Sequence, residues 1–300
     1  MPFLPLPARF RRPVLLIVGC GDIGLRVARS IGNGWAVLGL TSSLGRVSEL
    51  RAAGVRPVVG DLDRPETLAR LGGLADAVLH LAPPPGEGDT DRRTRVLLQA
   101  LARRAAPRRI VYVSTSGVYG DCDGARIDET RALAPATARA RRRVDAETCL
   151  RLHARARGIA LTILRVPGIY ASDRPGGHPR ERLLRGTPVL TGADDVYTNH
   201  IHADDLARAC IVALHRGPNL RAIHVSDDTE LRMGDYFDLA AELCGLPRPP
   251  RIDRVDAARQ MSAMQLSFMG ESRRLDNRRL KGELRLALRY PTVAEGLRQG

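Results

Sequence analysis

The stretch Val14-Leu-Leu-Ile-Val-Gly-Cys-Gly-Asp-Ile-Gly-Leu-Arg-Val-Ala-Arg-Ser30 decides how the chain is read. Its first five residues form a continuous apolar run, the pattern of a strand buried on both faces of a sheet. Gly19 ends the run, and Leu25 to Ile31 reads as a helix. Between them, Gly19-Cys20-Gly21-Asp22-Ile23-Gly24 fits G-x-G-x-x-G, a pattern that gains meaning from its strand–turn–helix context. Gly19 permits a tight turn, Gly21 lets backbone approach a pyrophosphate, and Gly24 lets the helix pack closely on the strand. The helix N-terminus adds backbone N–H groups and the positive end of a dipole. These six residues are the candidate phosphate-binding turn, with a plain βα turn as the alternative. Cys20 reads as a small packing residue or as a thiol near a helix N-terminus.

Outward from this stretch, strands and helices alternate. Ala36–Leu40, Arg56–Val59, Asp76–Leu81, Arg109–Val113 and Ala160–Leu164 read as strands. Ser48–Ala53, Arg92–Arg104 and Arg139–Arg157 read as helices. Such spacing implies parallel βαβ units and an α/β, Rossmann-type, doubly wound sheet. Past about residue 170 the alternation weakens, and Gly and Pro cluster at 175–179. The reading is a tail over 1–12, a nucleotide-binding domain over 13–170, and a smaller C-terminal α/β lobe over 171–300. Segments near 200–226 are expected to pack back on the first domain.

The second strand ends in Leu40-Thr41-Ser42-Ser43 without the acid that usually takes the adenosine ribose hydroxyls, and Arg46 follows. Thr41, Ser42 and Arg46 therefore predict a 2′-phosphate, hence NADP over NAD. Asp61 and Leu62 are placed to meet the adenine. Leu81, Ala82 and Pro83 are placed beneath the phosphates and nicotinamide ribose.

With these residues in view, the chain resembles the extended short-chain dehydrogenase/reductases of the NAD(P)-dependent epimerase/dehydratase group. The resemblance rests on the glycine loop, Gly60-Asp61-Leu62, His80-Leu81-Ala82, Ser114-Thr115-Ser116-Gly117-Val118-Tyr119-Gly120, Leu164-Arg165, Gly168-Ile169-Tyr170 and Asn199-His200-Ile201-His202-Ala203-Asp204-Asp205. It implies a nicotinamide cofactor, with Pro167 and Gly168 beside it, a small-molecule substrate and a homodimer. It also implies a catalytic Ser/Thr, Tyr and Lys. The first falls on Thr115. The Tyr-x-x-x-Lys pair, counted back from Glu147, falls on Arg139 and Arg143 within Thr137-Ala-Arg-Ala-Arg-Arg-Arg-Val-Asp-Ala-Glu147. Lys281 is the only lysine, so no Tyr-x-x-x-Lys exists elsewhere.

Arginine stays protonated and does not serve as a general acid or base. Arg143 is expected to hold the nicotinamide ribose as the lysine would, and Arg139 either faces an anionic substrate or is solvated. Tyr119 joins Thr115 as a catalytic candidate. The resemblance places substrate contacts at Arg174, His178, Arg180 and Arg182, with Tyr170 beside them; several arginines there suit a phosphorylated or carboxylated ligand. His200 and His202 alternate on a strand and share a face, but no third ligand stands nearby, and no metal is expected.

The formal net charge of +14 invites a nucleic-acid reading, but the positive charge is almost all arginine, spread from Arg9 to Arg298. Nucleic-acid binding is set aside on that ground. Five cysteines without CxxC spacing suggest a reducing compartment. No stretch approaches the ~20 apolar residues of a membrane helix, and the start lacks a signal-peptide pattern. A cytoplasmic protein is expected. Two functions stand: an NADP-dependent oxidoreductase or epimerase-like enzyme on a small anionic substrate, or a non-catalytic NADP(H) sensor or interaction protein.

Overall fold

The computed structural model describes residues 12–298; most of the expected N-terminal tail lies outside the described residues. Seven parallel strands form the central sheet: β1 Val14–Val18, β2 Ala36–Thr41, β3 Arg56–Val59, β4 Ala77–His80, β5 Arg109–Thr115, β7 Ala160–Val166 and β12 Arg221–His224. Their order is β12-β7-β5-β4-β1-β2-β3. The chain runs outward from β1 through β2 to β3, then returns to the other side of β1 at β4. That reversal opens a crevice at the carboxyl ends of β1 and β4, where ligands bind in doubly wound sheets.

The two-residue alternation of β1 shows why it must be apolar throughout. Leu15 and Ile17 enter one core with helices α1 (Asp22–Ser30) and α6 (Ala203–Arg216). Leu16 and Val18 enter the other with α3 (Arg92–Leu101) and α4 (Ala138–Arg157). All four are fully buried. A short α2 (Val47–Ala52) lies between β2 and β3.

Element boundaries depart from the sequence reading where loops continue regular structure. Helix α1 begins at Asp22, three residues early, because Gly21 is already its N-cap. Strands β5 and β7 each run two residues further, to Thr115 and Val166, because they pair with each other along their whole length. Asp76 stays outside β4; its carboxylate accepts the Val14 N–H at 2.9 Å.

The remaining strands are short pairs. They are β6 (Arg126–Ile127) with β15 (Arg274–Leu275), β8 (Gly168–Tyr170) with β11 (His200–His202), β9 (Val189–Leu190) with β14 (Arg251–Ile252), and β10 (Tyr197–Thr198) with β13 (Leu231–Arg232). Around them lie α5 (Arg180–Leu184), α7 (Met233–Cys244), α8 (Arg254–Gln260), α9 (Ala263–Met269), α10 (Arg278–Gly282) and α11 (Val293–Arg298). Leu183, Val189, Tyr236, Phe237 and Val293 centre a third core there. Between 200 and 226, β12 joins the main sheet beside β7 and α6 packs on α1. No helix among the described residues is long and apolar enough to cross a membrane.

Candidate functional site

The glycine loop has the geometry that its three glycines require. Gly19 takes φ +85°, and a Cβ there would lie 2.5 Å from the Ala82 nitrogen, so only glycine lets the β1 and β4 loops meet. A Cβ on Gly24 would press on Ile17 at 3.1 Å and Cys20 Sγ at 3.2 Å, which fixes the close approach of α1 to β1. Gly21 faces open space, with nothing within 4 Å of an added Cβ. No side chain caps α1, so its first N–H groups are left for a ligand. A pyrophosphate fits this cradle.

A cavity of about 760 Å³ runs from this loop between the sheet and the C-terminal segments. Gly19, Gly21, Asp22, Ile23 and Gly24 line one end, with Leu81, Pro167 and Gly168 beside them. Thr115, Arg139, Arg143 and Arg174 also lie on its wall. Thr115 ends β5, and its Oγ1 accepts the Gly117 N–H at 3.2 Å, which leaves its own O–H to donate.

Helix α4 carries both exchanged positions into the cavity. Thr137 caps the helix by accepting the Ala140 N–H at 3.2 Å. Two turns of side chains follow, of which Arg139 and Arg143 share the cavity-facing side. Arg143 Nη1 donates to the Tyr112 hydroxyl at 3.0 Å and the Val113 carbonyl at 3.1 Å. This ties the guanidinium to the end of β5. Arg139 is exposed and lies over the Phe268 ring, 5.1 Å from its centroid. Glu147, one turn on from Arg143, turns away and forms a buried two-pronged pair with Arg165, at 3.1 and 2.7 Å.

Tyr119 is not on the cavity wall. The tight turn after β5 points it into the protein, where it is 1% exposed. Arg165 Nη1 donates to its hydroxyl at 2.6 Å, and the hydroxyl meets His224 Nε2 at 2.6 Å. Burial pushes its pKa up to about 12. It is a structural network residue, shut off from any ligand in the cavity.

Tyr170 and Arg180 also lie off the wall. Tyr170 is buried between His200 and His202, and its hydroxyl donates to the Thr292 carbonyl at 3.3 Å. Arg180 donates to the Cys244 carbonyl, and His178 Nδ1 accepts the Arg180 N–H. Arg174 does reach the cavity, where its Nε meets Asp22 Oδ2 at 3.0 Å. His202 caps α6 by accepting the Asp204 N–H. His200 stacks on Tyr236 at 4.0 Å, and burial holds its pKa at about 3. No group of three or more His, Cys, Asp or Glu side chains among the described residues is placed to hold a metal.

The residues expected at the adenosine end lie beyond the cavity, at the ends of β2 and β3. Thr41 is buried and accepts the Ser43 N–H at 3.2 Å, while Ser42 is exposed. Arg46 pairs with Glu49 at 2.9 Å. Asp61 accepts the Asp63 N–H at 2.9 Å, and Leu62 packs on the core. Ala82 is buried against Gly19, and the Pro83 carbonyl accepts from Arg93 at 3.3 Å. The Cys20 side chain is 2% exposed and lies beneath the loop against Gly24 and Gly39, and burial pushes its pKa up to about 11. It packs, and a readily formed thiolate is excluded.

Much of the far wall escaped the sequence reading. Tyr197, Tyr236, Phe268, Glu271 and Arg273 line it unforeseen, together with Asn199 and with Arg182, which the resemblance places among the substrate contacts. Arg182 lies over the Phe237 ring at 4.3 Å, and burial lowers its pKa. Four buried polar atoms of wall residues have no hydrogen-bond partner: Ser114 Oγ, Arg182 Nε, His200 Nδ1 and Arg273 Nε. Buried polar groups in folded proteins are nearly always partnered, so these four are free to meet a ligand from the cavity.

Fold, crevice and loop define a Rossmann-type, doubly wound α/β protein. Within that class the chain belongs to the NAD dependent epimerase/dehydratase family, whose model matches residues 15–226. It is 25% identical to Protein YeeZ of Escherichia coli K12 over 284 residues, covering 92% of this chain and 95% of that one. Its fold matches a functionally unknown conserved protein from Silicibacter pomeroyi with a TM-score of 0.79 and 31% identity, over 95% of this chain and 96% of the other. It also matches UDP-glucose 4-epimerase from Thermotoga maritima, solved with UDP-glucose, with a TM-score of 0.77 and 22% identity over 95% and 96% of the two chains.

Proposed function

We propose that the chain is an NADP-dependent oxidoreductase or epimerase-like enzyme acting on a small anionic substrate. The observation that carries this reading is the charge of the cavity wall. Five arginines and two carboxylates line it. Asp22 is matched by Arg26 and Arg174, and Glu271 by Arg273. Arg139, Arg143 and Arg182 have no carboxylate partner among the described residues. Guanidinium groups without a carboxylate partner on a cavity wall favour a carboxylate or phosphate, which they bind in forked geometry.

The glycine loop, Leu81, Pro167 and Gly168 would hold a nicotinamide dinucleotide, which supplies hydride transfer when bound. Thr115 would orient a substrate oxygen with its free O–H. Arg143 would keep a positive charge where the family's lysine stands, anchored to the end of β5 rather than free to move.

Preference for the 2′-phosphate rests on Thr41, Ser42 and Arg46 and on the lack of an acid at the end of β2. A 2′-phosphate would compete with Glu49 for Arg46. Calorimetric titration of nucleotide-free protein tests this. NADPH should bind in the micromolar range and NADH at least tenfold more weakly, and Arg46→Ala should narrow the gap. Equal affinity for the two, or tighter NADH, would contradict the NADP assignment.

The exchange of the family's Tyr and Lys for Arg139 and Arg143 favours a second reading, a sensor that holds NADP(H) without turnover. A sensor would bind nucleotide but show no oxidation of NADPH by any carbonyl compound with a carboxylate or phosphate.

A further inference from the structure

We propose that Glu271 is the acid/base residue of this cavity, exchanging a proton with the substrate oxygen that Thr115 orients. This rests on the nicotinamide-dependent reading above. Neither Arg139 nor Arg143 gives up a proton at ordinary pH, and Tyr119 is sealed in the interior. Among the described residues the cavity wall has two carboxylates. Asp22 is held at the glycine loop by two arginines, Arg26 on one oxygen and Arg174 on the other, whereas Glu271 has a single ion pair, Arg273 on Oε2.

Its position suits the task. A Cβ placed on Gly117 would lie 3.6 Å from Thr115 Oγ1 and 3.9 Å from Glu271 Oε2. The hydroxyl and the carboxylate therefore flank one small volume beside the turn that ends β5. Arg273 holds Glu271 there: its Nη1 donates to Oε2 at 2.8 Å and to the Gly120 carbonyl at 2.7 Å. The Glu271 side chain is 13% exposed, sheltered from bulk water yet open to the cavity. Carboxylates in such sites serve as general acids and bases.

In the reducing direction, the Glu271 carboxyl O–H breaks and its proton goes to the substrate carbonyl oxygen. A reduced nicotinamide, when bound, would supply the hydrogen and electron pair that the carbonyl carbon needs. The products are an alcohol, oxidised nicotinamide and the Glu271 carboxylate, which regains a proton from solvent. Oxidation of an alcohol is the reverse, with Glu271 as base.

The test uses the charge of the nicotinamide ring, positive when oxidised and neutral when reduced. A carboxylate at the reacting end favours the oxidised ring. Calorimetric affinities for NADP⁺ and NADPH are measured on the full chain freed of nucleotide, with NADPH as the internal reference. In Glu271→Gln the NADP⁺/NADPH affinity ratio should fall roughly three- to tenfold, the scale of one screened charge pair at several ångströms. Glu271→Asp, which keeps the charge, should restore most of it. Glu271→Ala gives the same reading should the glutamine variant prove unstable. An unchanged ratio in a folded, NADPH-binding variant would overturn the role of Glu271 and leave the cofactor reading standing. Failure of the wild-type chain to bind either nucleotide would overturn both.

Discussion

Arg174 Nε meets Asp22 Oδ2 at 3.0 Å, and the same guanidinium donates through Nη1 to the Ile169 carbonyl at 3.0 Å. One side chain thus joins the glycine loop to the segment that follows β8. Asp22 would otherwise place an anion at the helix end that receives phosphates, a placement that favours the helix but repels a dinucleotide. Arg26 Nε takes its other oxygen at 2.9 Å, and Arg26 also binds Asp173 and Asp204.

Arg174→Ala should therefore weaken NADPH binding roughly three- to tenfold, because half of the Asp22 charge loses its match. Both partners are partly exposed, so stability should change by less than about 1 kcal/mol. Calorimetry and thermal melting on the same variant separate the two effects. A large loss of stability with unchanged affinity would contradict this role.

Tyr119→Phe should cost stability and spare the site. His224 Nδ1 donates to the Asp276 carbonyl at 3.0 Å, so its Nε2 accepts from the tyrosine hydroxyl. Removal of that hydroxyl strands a buried acceptor and a guanidinium donor, at a cost of about 1–3 kcal/mol. Denaturant unfolding should show this loss, with NADPH affinity unchanged within about twofold.

Glu147→Ala should be more damaging. Both side chains of the Glu147–Arg165 pair are nearly inaccessible, at 2% and 4%. Removal of one partner of a buried pair leaves an uncompensated charge and costs about 3–5 kcal/mol. The melting temperature should drop on the order of 10 °C. A drop of a degree or two would mean that the pair is not buried as described.

Acid should loosen the fold through its buried histidines, against a smaller opposite contribution from Asp227, Glu129 and Asp195, whose carboxyl pKa values burial raises. Burial holds His80, His200 and His224 neutral, at pKa values of about 3, 3 and 4. In the unfolded chain each takes a proton below about 6.5, so the unfolded state binds more protons and stability falls with pH through the window from 6.5 to 4. His224 alone represents on the order of 3 kcal/mol across that window. Urea midpoints measured at unit steps of pH should decline from 6.5 downward; a constant midpoint to pH 4 would contradict neutral burial.

The first half of the chain was legible because its signals are local. Leu15 and Leu16 are apolar for opposite faces of one sheet, and a strand needing both cores cannot hide in a sequence. Gly21 answers to open space and Gly24 to Ile17 and Cys20 close by in the chain, whereas the need for glycine at Gly19 comes from Ala82, 63 residues away, and was legible only through the motif. Tyr119 misled because proximity in sequence to Thr115 says nothing of direction, and the turn between them reverses it. Glu271, Arg273 and Phe268 carried no pattern at all. Phe268 reaches the cavity from α9, and Glu271 and Arg273 from the loop that leads into β15, whose strand partner β6 lies far away in the chain.

Gly21→Val shows whether the loop after β1 receives a dinucleotide. A Cβ added at Gly21 meets nothing within 4 Å in the free protein, so the variant should melt within a few degrees of wild type. It should, however, occupy the space of the pyrophosphate and weaken NADPH binding at least a hundredfold in a calorimetric titration. Equal NADPH affinity in the two proteins would show that the dinucleotide does not lie against Gly21, and the account would fail there.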